Sequence, residues 1–181
     1  PNGQNGILIE GDAKKATIRT TVCSGNIESG IALSGNSSYS TIESVICGSS
    51  SDYSTPVPNK YGLTITGNSN NNNVDKTDSV IRKSTFSGNT QHGIQLLGDS
   101  NNNNFFGDLV GVVYVQKTAS SVVAMPNGGN GVFLDGTTNN NIITTKSVIS
   151  GNDDFGVYFN NITVVNNTIT GNFIGTNEAL Q

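Results

Sequence analysis

A six-residue phrase constrains this chain more than any other feature: glycine, an aliphatic residue, any residue, an aliphatic or aromatic residue, any residue, glycine. It occurs five times, starting at Gly6, Gly30, Gly62, Gly93 and Gly131, and a sixth copy starting at Gly156 ends in Asn161 in place of glycine. The lead glycines are 24, 32, 31, 38 and 25 residues apart. Self-similarity at such intervals means that one unit cannot bury its apolar face alone and must stack on its neighbours. The text before each phrase alternates as well. Pro-Asn precedes the first, third and fifth copies (Pro1-Asn2, Pro58-Asn59, Pro126-Asn127), and Ser-Gly-Asn precedes the others (Ser24 to Asn26, Ser87 to Asn89, Ser150 to Asn152). The chain therefore reads as alternating short and long coils, with the extra length in loops at 49–57 and 108–125.

Within each phrase the apolar residues alternate as in a half-buried strand. Ile7, Ile31, Leu63, Ile94, Val132 and Val157 follow the lead glycine, and Ile9, Leu33, Ile65, Leu96, Leu134 and Phe159 come two positions later. All twelve are expected to point inward. A second strand is expected before each asparagine turn, as at Ala16 to Cys23, Ser79 to Phe86 and Ser147 to Ile149. Runs of asparagine at 70–73, 101–104, 139–141 and 166–167 are expected at one corner, where stacked amides can hydrogen-bond along the axis.

Composition supports an ordered array only because of the period. Apolar residues make up 34% of the chain and there are 27 asparagines, a mixture that without a period would bury too little surface to offset chain entropy. A net charge of −4 with nine scattered basic residues lacks the electrostatic footprint of a nucleic-acid binder. No apolar run approaches the ~20 residues of a membrane span, and no charged-then-apolar leader opens the sequence, so neither is expected.

The segments Pro1-Asn-Gly-Gln-Asn-Gly6 and Pro126-Asn-Gly-Gly-Asn-Gly131, the Val148 to Asn152 turn and the closing Gly171 to Thr176 resemble the repeats of parallel β-helix proteins. These belong to the pectin-lyase-like superfold and occur in large surface proteins of bacteria, phages and giant viruses. The resemblance implies an all-β, right-handed parallel β-helix of six coils. Residues 1–181 would form a single domain, a slice of a longer solenoid. The fold hosts lyases, glycosidases, tailspikes and adhesins alike, so it specifies activity weakly. The function expected is that of a structural or adhesin-like segment of an extracellular, cell-surface or virion-surface protein that binds a polysaccharide or cell-surface glycan. A polysaccharide-degrading enzyme, lyase or glycosidase, is the alternative. Further coils of the same solenoid, and a second copy of the chain, are the other partners implied.

Stacked coils place equivalent positions ~4.8 Å apart, so candidate sites are read down columns. The outward position two after the lead glycine holds Leu8, Ala32, Thr64, Gln95, Phe133 and Tyr158. Phe133 and Tyr158 fall on adjacent coils, and exposed rings offer flat apolar faces to sugars. Asp135 and Asn160, two residues further on, could hydrogen-bond to hydroxyls. One position before the lead glycine lie Tyr61 and the only histidine, His92, which complete the candidate carbohydrate-binding set.

No catalytic residues are assigned. Asp153-Asp154, Gln91-His92-Gly93 and Ile81-Arg82-Lys83 look like polygalacturonase motifs but occur in the wrong order, and the column count puts His92 and Asp154 two coils apart. A lyase-like cluster is confined to the insertion at 75–83, with Asp75, Asp78, Arg82 and Lys83. No metal site is assigned either. Ca²⁺ is the one cofactor with any foothold, in the oxygen-rich column Asp12, Asn36, Asn68 and Asp99, where a hydrogen-bonded ladder is the simpler expectation. Cys23 and Cys47 each follow their lead glycine by 17 residues. They should stack as neighbours, reduced, although their expected Cα separation also permits a disulfide. Asn36, Asn161 and Asn166 begin glycosylation-type triplets of the kind an Asn- and Ser-rich chain produces by chance.

Overall fold

The computed structural model describes residues 1–75, 83–115 and 122–176. The described chain is all-β, and its strands lie in three long parallel sheets that run along the array. The first sheet has six strands: Ile7–Ile9, Ser29–Leu33, Tyr61–Ile65, Ile94–Leu96, Val132–Leu134 and Val157–Phe159. Each is the repeated phrase, and each pairs in register with the copy before and after it, as in Ile7 with Ile31, Ile31 with Leu63, and Val132 with Val157. Thr17–Arg19 opens the second sheet and Ile46–Cys47 the third. One circuit through the three sheets is one coil. This is the parallel β-helix that the repeat implied.

The second strand expected at Ala16 to Cys23 is instead a short strand, Thr17–Arg19, followed by a single bridge at Val22. Thr20 has φ of 50° and turns the chain out of the second sheet, and the chain re-enters pairing where Val22 bridges Ile46. Ser44 and Asp75 take the same left-handed conformation at this corner, with φ of 53° for each. An alternating apolar stretch does not reveal a bend that non-glycine residues make. The insertion residues 76–82, which include the expected Asp78 and Arg82, lie outside the described residues, as does part of the expected strand at Ser79 to Phe86. The long loop at 108–125 carries a further pair of strands, Val112–Tyr114 antiparallel to Val122–Ala124.

The lead glycines are required by close approach between coils. A Cβ on Gly62 would lie 2.4 Å from the carbonyl oxygen of Gly93, and one on Gly30 would lie 2.6 Å from the carbonyl oxygen of Cys23. Both obstacles are main chain and cannot move aside. The inward columns form one continuous core with Ile18, Ile42, Val74, Phe86, Phe105, Val110 and Ile149 of the other two sheets. Of the twelve residues expected inside, eight are buried, and Ile7, Ile9 and Val157 pack partly buried against the core. Phe159 departs from the pattern at 44% exposed, because it sits on the outermost strand of its sheet and has a neighbouring strand on one side only.

The asparagine runs divide their labour. Asn71, Asn102, Asn140 and Asn166 adopt positive φ and turn the corner, a conformation that asparagine tolerates better than other non-glycine residues. The next residue in each run, Asn72, Asn103, Asn141 and Asn167, forms a ladder whose side-chain amides donate to one another along the axis at 2.9–3.1 Å. A second ladder stands at the turn before the lead glycines, through Asn2, Asn26, Asn59, Asn89, Asn127 and Asn152, at 2.8–3.0 Å. Cys23 and Cys47 are buried, unbridged and stacked as expected. Burial pushes the Cys47 thiol well above the ordinary cysteine value, whereas a hydrogen bond from its neighbour pulls Cys23 down.

Candidate aromatic binding strip

The outer face of the first sheet carries the functional candidates. Register places Thr64 beside Gln95, Gln95 beside Phe133 and Phe133 beside Tyr158, so the outward column is as the spacing implied. Its middle is not open to solvent, however: Ala32, Thr64 and Gln95 are buried. The residues one before the lead glycine lean across it. Ser29 Oγ lies 2.7 Å from Thr64 Oγ1, and Gln95 Nε2 donates to Thr64 Oγ1 at 2.8 Å. Further along, the same overlap brings the rings of the two columns together.

The result is a continuous strip of five rings. Tyr61 stacks on His92 with centroids 5.9 Å apart, His92 on Phe133 at 4.6 Å, and Tyr158 on Phe155 at 5.2 Å, while Phe133 meets Tyr158 tilted by 40° at 5.9 Å. The His92 and Phe133 planes differ by only 18°. Such offset stacking satisfies the quadrupoles of the rings and holds each in place. At one end Lys60 Nζ stands 5.3 Å from the Tyr61 centroid and pairs with Glu28 at 3.4 Å. Exposure rises toward the other end, where Tyr158 is 37% and Phe155 61% exposed.

His92 is held by its surroundings. The backbone N–H of Asn130 donates to Nδ1 at 3.0 Å, which leaves the ring proton on Nε2 as a donor to anything laid along the strip. A Cβ on Gly129 would lie 2.8 Å from Nδ1, so glycine there makes room for the ring. Desolvation pushes the His92 pKa below the ordinary histidine value, against the pull of the Asp154 carboxylate, so the ring is neutral at pH 7. Two residues after Phe133, Asp135 accepts from the Gly136 N–H at 2.7 Å and from Asn160 Nδ2 at 3.2 Å. Of the six residues singled out in the sequence, ring contacts join Tyr61, His92, Phe133 and Tyr158, and a hydrogen bond joins Asp135 to Asn160. Phe155 and Asn130 were missed as members of the site. Their signal was present, since both occupy the column that holds Tyr61 and His92.

The column Asp12, Asn36, Asn68 and Asp99 begins as a side-chain ladder. Asn36 Nδ2 donates to Asp12 Oδ1 at 2.9 Å, and Asn68 Nδ2 to Asn36 Oδ1 at 3.2 Å. Among the described residues no three His, Cys, Asp or Glu side chains gather as metal ligands. Among the described residues no helix is long and apolar enough to cross a membrane. Compared with protein-family models, with curated proteins and with solved structures, the chain matches none.

Proposed function

We propose that this β-helix serves as a rigid glycan-binding segment of an extracellular, cell-surface or virion-surface protein, with the aromatic strip as its contact face. The observation that carries this reading is the continuous run of five rings in contact, four of them on successive coils and Phe155 against the last, with the hydrogen-bonded Asp135 and Asn160 two residues after Phe133 and Tyr158. A linear saccharide laid along the axis can place the apolar faces of its rings on the strip and turn its hydroxyls to His92 Nε2, Asp135 and Asn160. The fixed rings lose little conformational entropy on contact, which favours binding. The resemblance of the repeats to those of surface proteins supports the location.

A glycan-array screen of the purified chain, followed by product analysis of every hit, tests the proposal. Binding without cleavage is expected, with affinity at least about ten-fold lower in Phe133→Ala and in Tyr158→Ala. Binding that survives both substitutions would place the contact elsewhere, and cleavage of a bound glycan would replace the proposal with an enzymatic one.

A further inference from the structure

Resting on that reading of the strip, we infer that its ligand is a glycan of amino sugars rather than one of uronic acids. The charges around the rings point this way. Asp135 follows Phe133 by two residues and accepts from Asn160, and the Asp154 carboxylate acts on His92 from the turn before Phe155, with exposed Asp153 next to it. None of the three forms an ion pair among the described residues. The one described cation on the strip, Lys60, is already paired with Glu28. Elsewhere, Arg19 pairs with Glu43 on the second sheet at 2.8 Å, and Lys83 Nζ donates to the Lys146 carbonyl at 3.0 Å, both away from the rings.

A uronate polymer laid on these rings would bring its carboxylates toward Asp135 and Asp154, and among the described residues the one cation on the strip, Lys60, is paired with Glu28. Like charges at close range are a strong device for rejecting a ligand. A protonated sugar amine in the same place gains a charge-assisted hydrogen bond to either carboxylate. Both oxygens of Asp135 already accept one bond, so its geometry is fixed while its charge remains available. His92 offers its Nε2 proton as a donor for a hydroxyl.

Three hexasaccharides separate the outcomes when titrated calorimetrically at mildly acidic pH: glucosamine, N-acetylglucosamine and galacturonate. The glucosamine hexamer should bind tightest and weaken with added salt, and the double substitution Asp135→Asn, Asp154→Asn should weaken it about five-fold. The same substitution should weaken the N-acetylated hexamer less than the glucosamine hexamer, because only the protonated amine loses a charge-assisted bond. If the galacturonate hexamer bound as well as the glucosamine one, the charge inference would be wrong while the strip would stand as a glycan site. If none of the three bound, and the screen above found no other glycan, both readings would fall. Melting curves of the double variant separate loss of binding from loss of fold.

Discussion

Replacing Asp108 with asparagine should stabilise the protein by about 1–3 kcal/mol at neutral pH, and by less in acid. Asp108 is fully buried just ahead of the strand Leu109–Val110, and no donor reaches either of its carboxyl oxygens. The cause lies in the column that it occupies. There a main-chain N–H donates to the side chain one coil further along: Val45 to Ser84 Oγ at 3.2 Å, Asp108 to Ser147 Oγ at 3.1 Å, and Ser147 to Asn172 Oδ1 at 3.1 Å. Ser84 breaks the rule. Its N–H turns to Asp75 Oδ2 at 2.6 Å and its hydroxyl to Asp75 Oδ1 at 3.0 Å, so the donors that Asp108 would have received go to another carboxylate.

Burial, followed by the charge of Asp75, pushes the Asp108 pKa well above the ordinary carboxylate range, with Lys83 opposing. Desolvation also raises Asp75, with the Glu43 carboxylate adding to the rise and its three hydrogen bonds from Ser44 and Ser84 resisting it. A group whose folded pKa lies above its unfolded value, about 3.9 for aspartate, binds its proton more tightly in the folded state. Its contribution is complete below the unfolded pKa and is lost as pH rises through the folded one. The native protein should therefore lose stability from about pH 4 upward through this group. Asparagine removes the titration and gives Asp75 an amide donor. Urea melts of native and Asp108→Asn protein across pH should diverge as pH rises. Parallel curves, or a less stable variant at pH 7, would mean that the carboxylate is held by a donor after all.

Which parts of the molecule were legible follows from how local their causes are. The repeated phrase specified the strands and register of the first sheet, though not the exposure of Phe159, because a lead glycine with two inward apolar residues fixes both close approach and register. The asparagine runs were legible as a corner ladder, but not in their division of labour. Adjacent identical residues do not announce which one turns the chain and which one donates along the axis. The ladder at Asn26, Asn59 and Asn89 was hidden because its members read as turn residues, although the adjacent Gly25 and Gly88 take the left-handed conformation in two of those turns. The ring strip was half legible. Both of its columns could be counted, yet nothing in the spacing says that side chains of one lean over the other. The plight of Asp108 was invisible, because it arises from a rung that Asp75 takes across an insertion.

Asn89→Ala should destabilise the protein by about 3–5 kcal/mol, whereas Asn68→Ala should cost less than about 1 kcal/mol. Both asparagines belong to axial amide ladders, and the difference is burial. Asn68 is exposed, and water replaces its 3.2 Å bond to Asn36. Asn89 is buried and its side chain makes four bonds. Its Oδ1 accepts from the Asn59 N–H at 3.3 Å and from Asn59 Nδ2 at 3.0 Å, and its Nδ2 donates to the Cys47 carbonyl at 3.1 Å and to Asn127 Oδ1 at 2.9 Å. Alanine leaves the Asn59 N–H without an acceptor at the turn and interrupts the ladder between the third and fifth coils. Asn89→Asp is the sharper test of the same idea, since a carboxylate keeps both acceptor bonds but loses both donor bonds and adds a buried charge. It should approach the alanine variant in stability at neutral pH and recover in acid, where protonation restores one donor. Because each coil contacts only its neighbours, the break should also lower cooperativity and reduce the urea m-value as the two halves unfold separately. Native-like midpoints for both Asn89 variants would show that the ladder follows from the fold and does not hold it together.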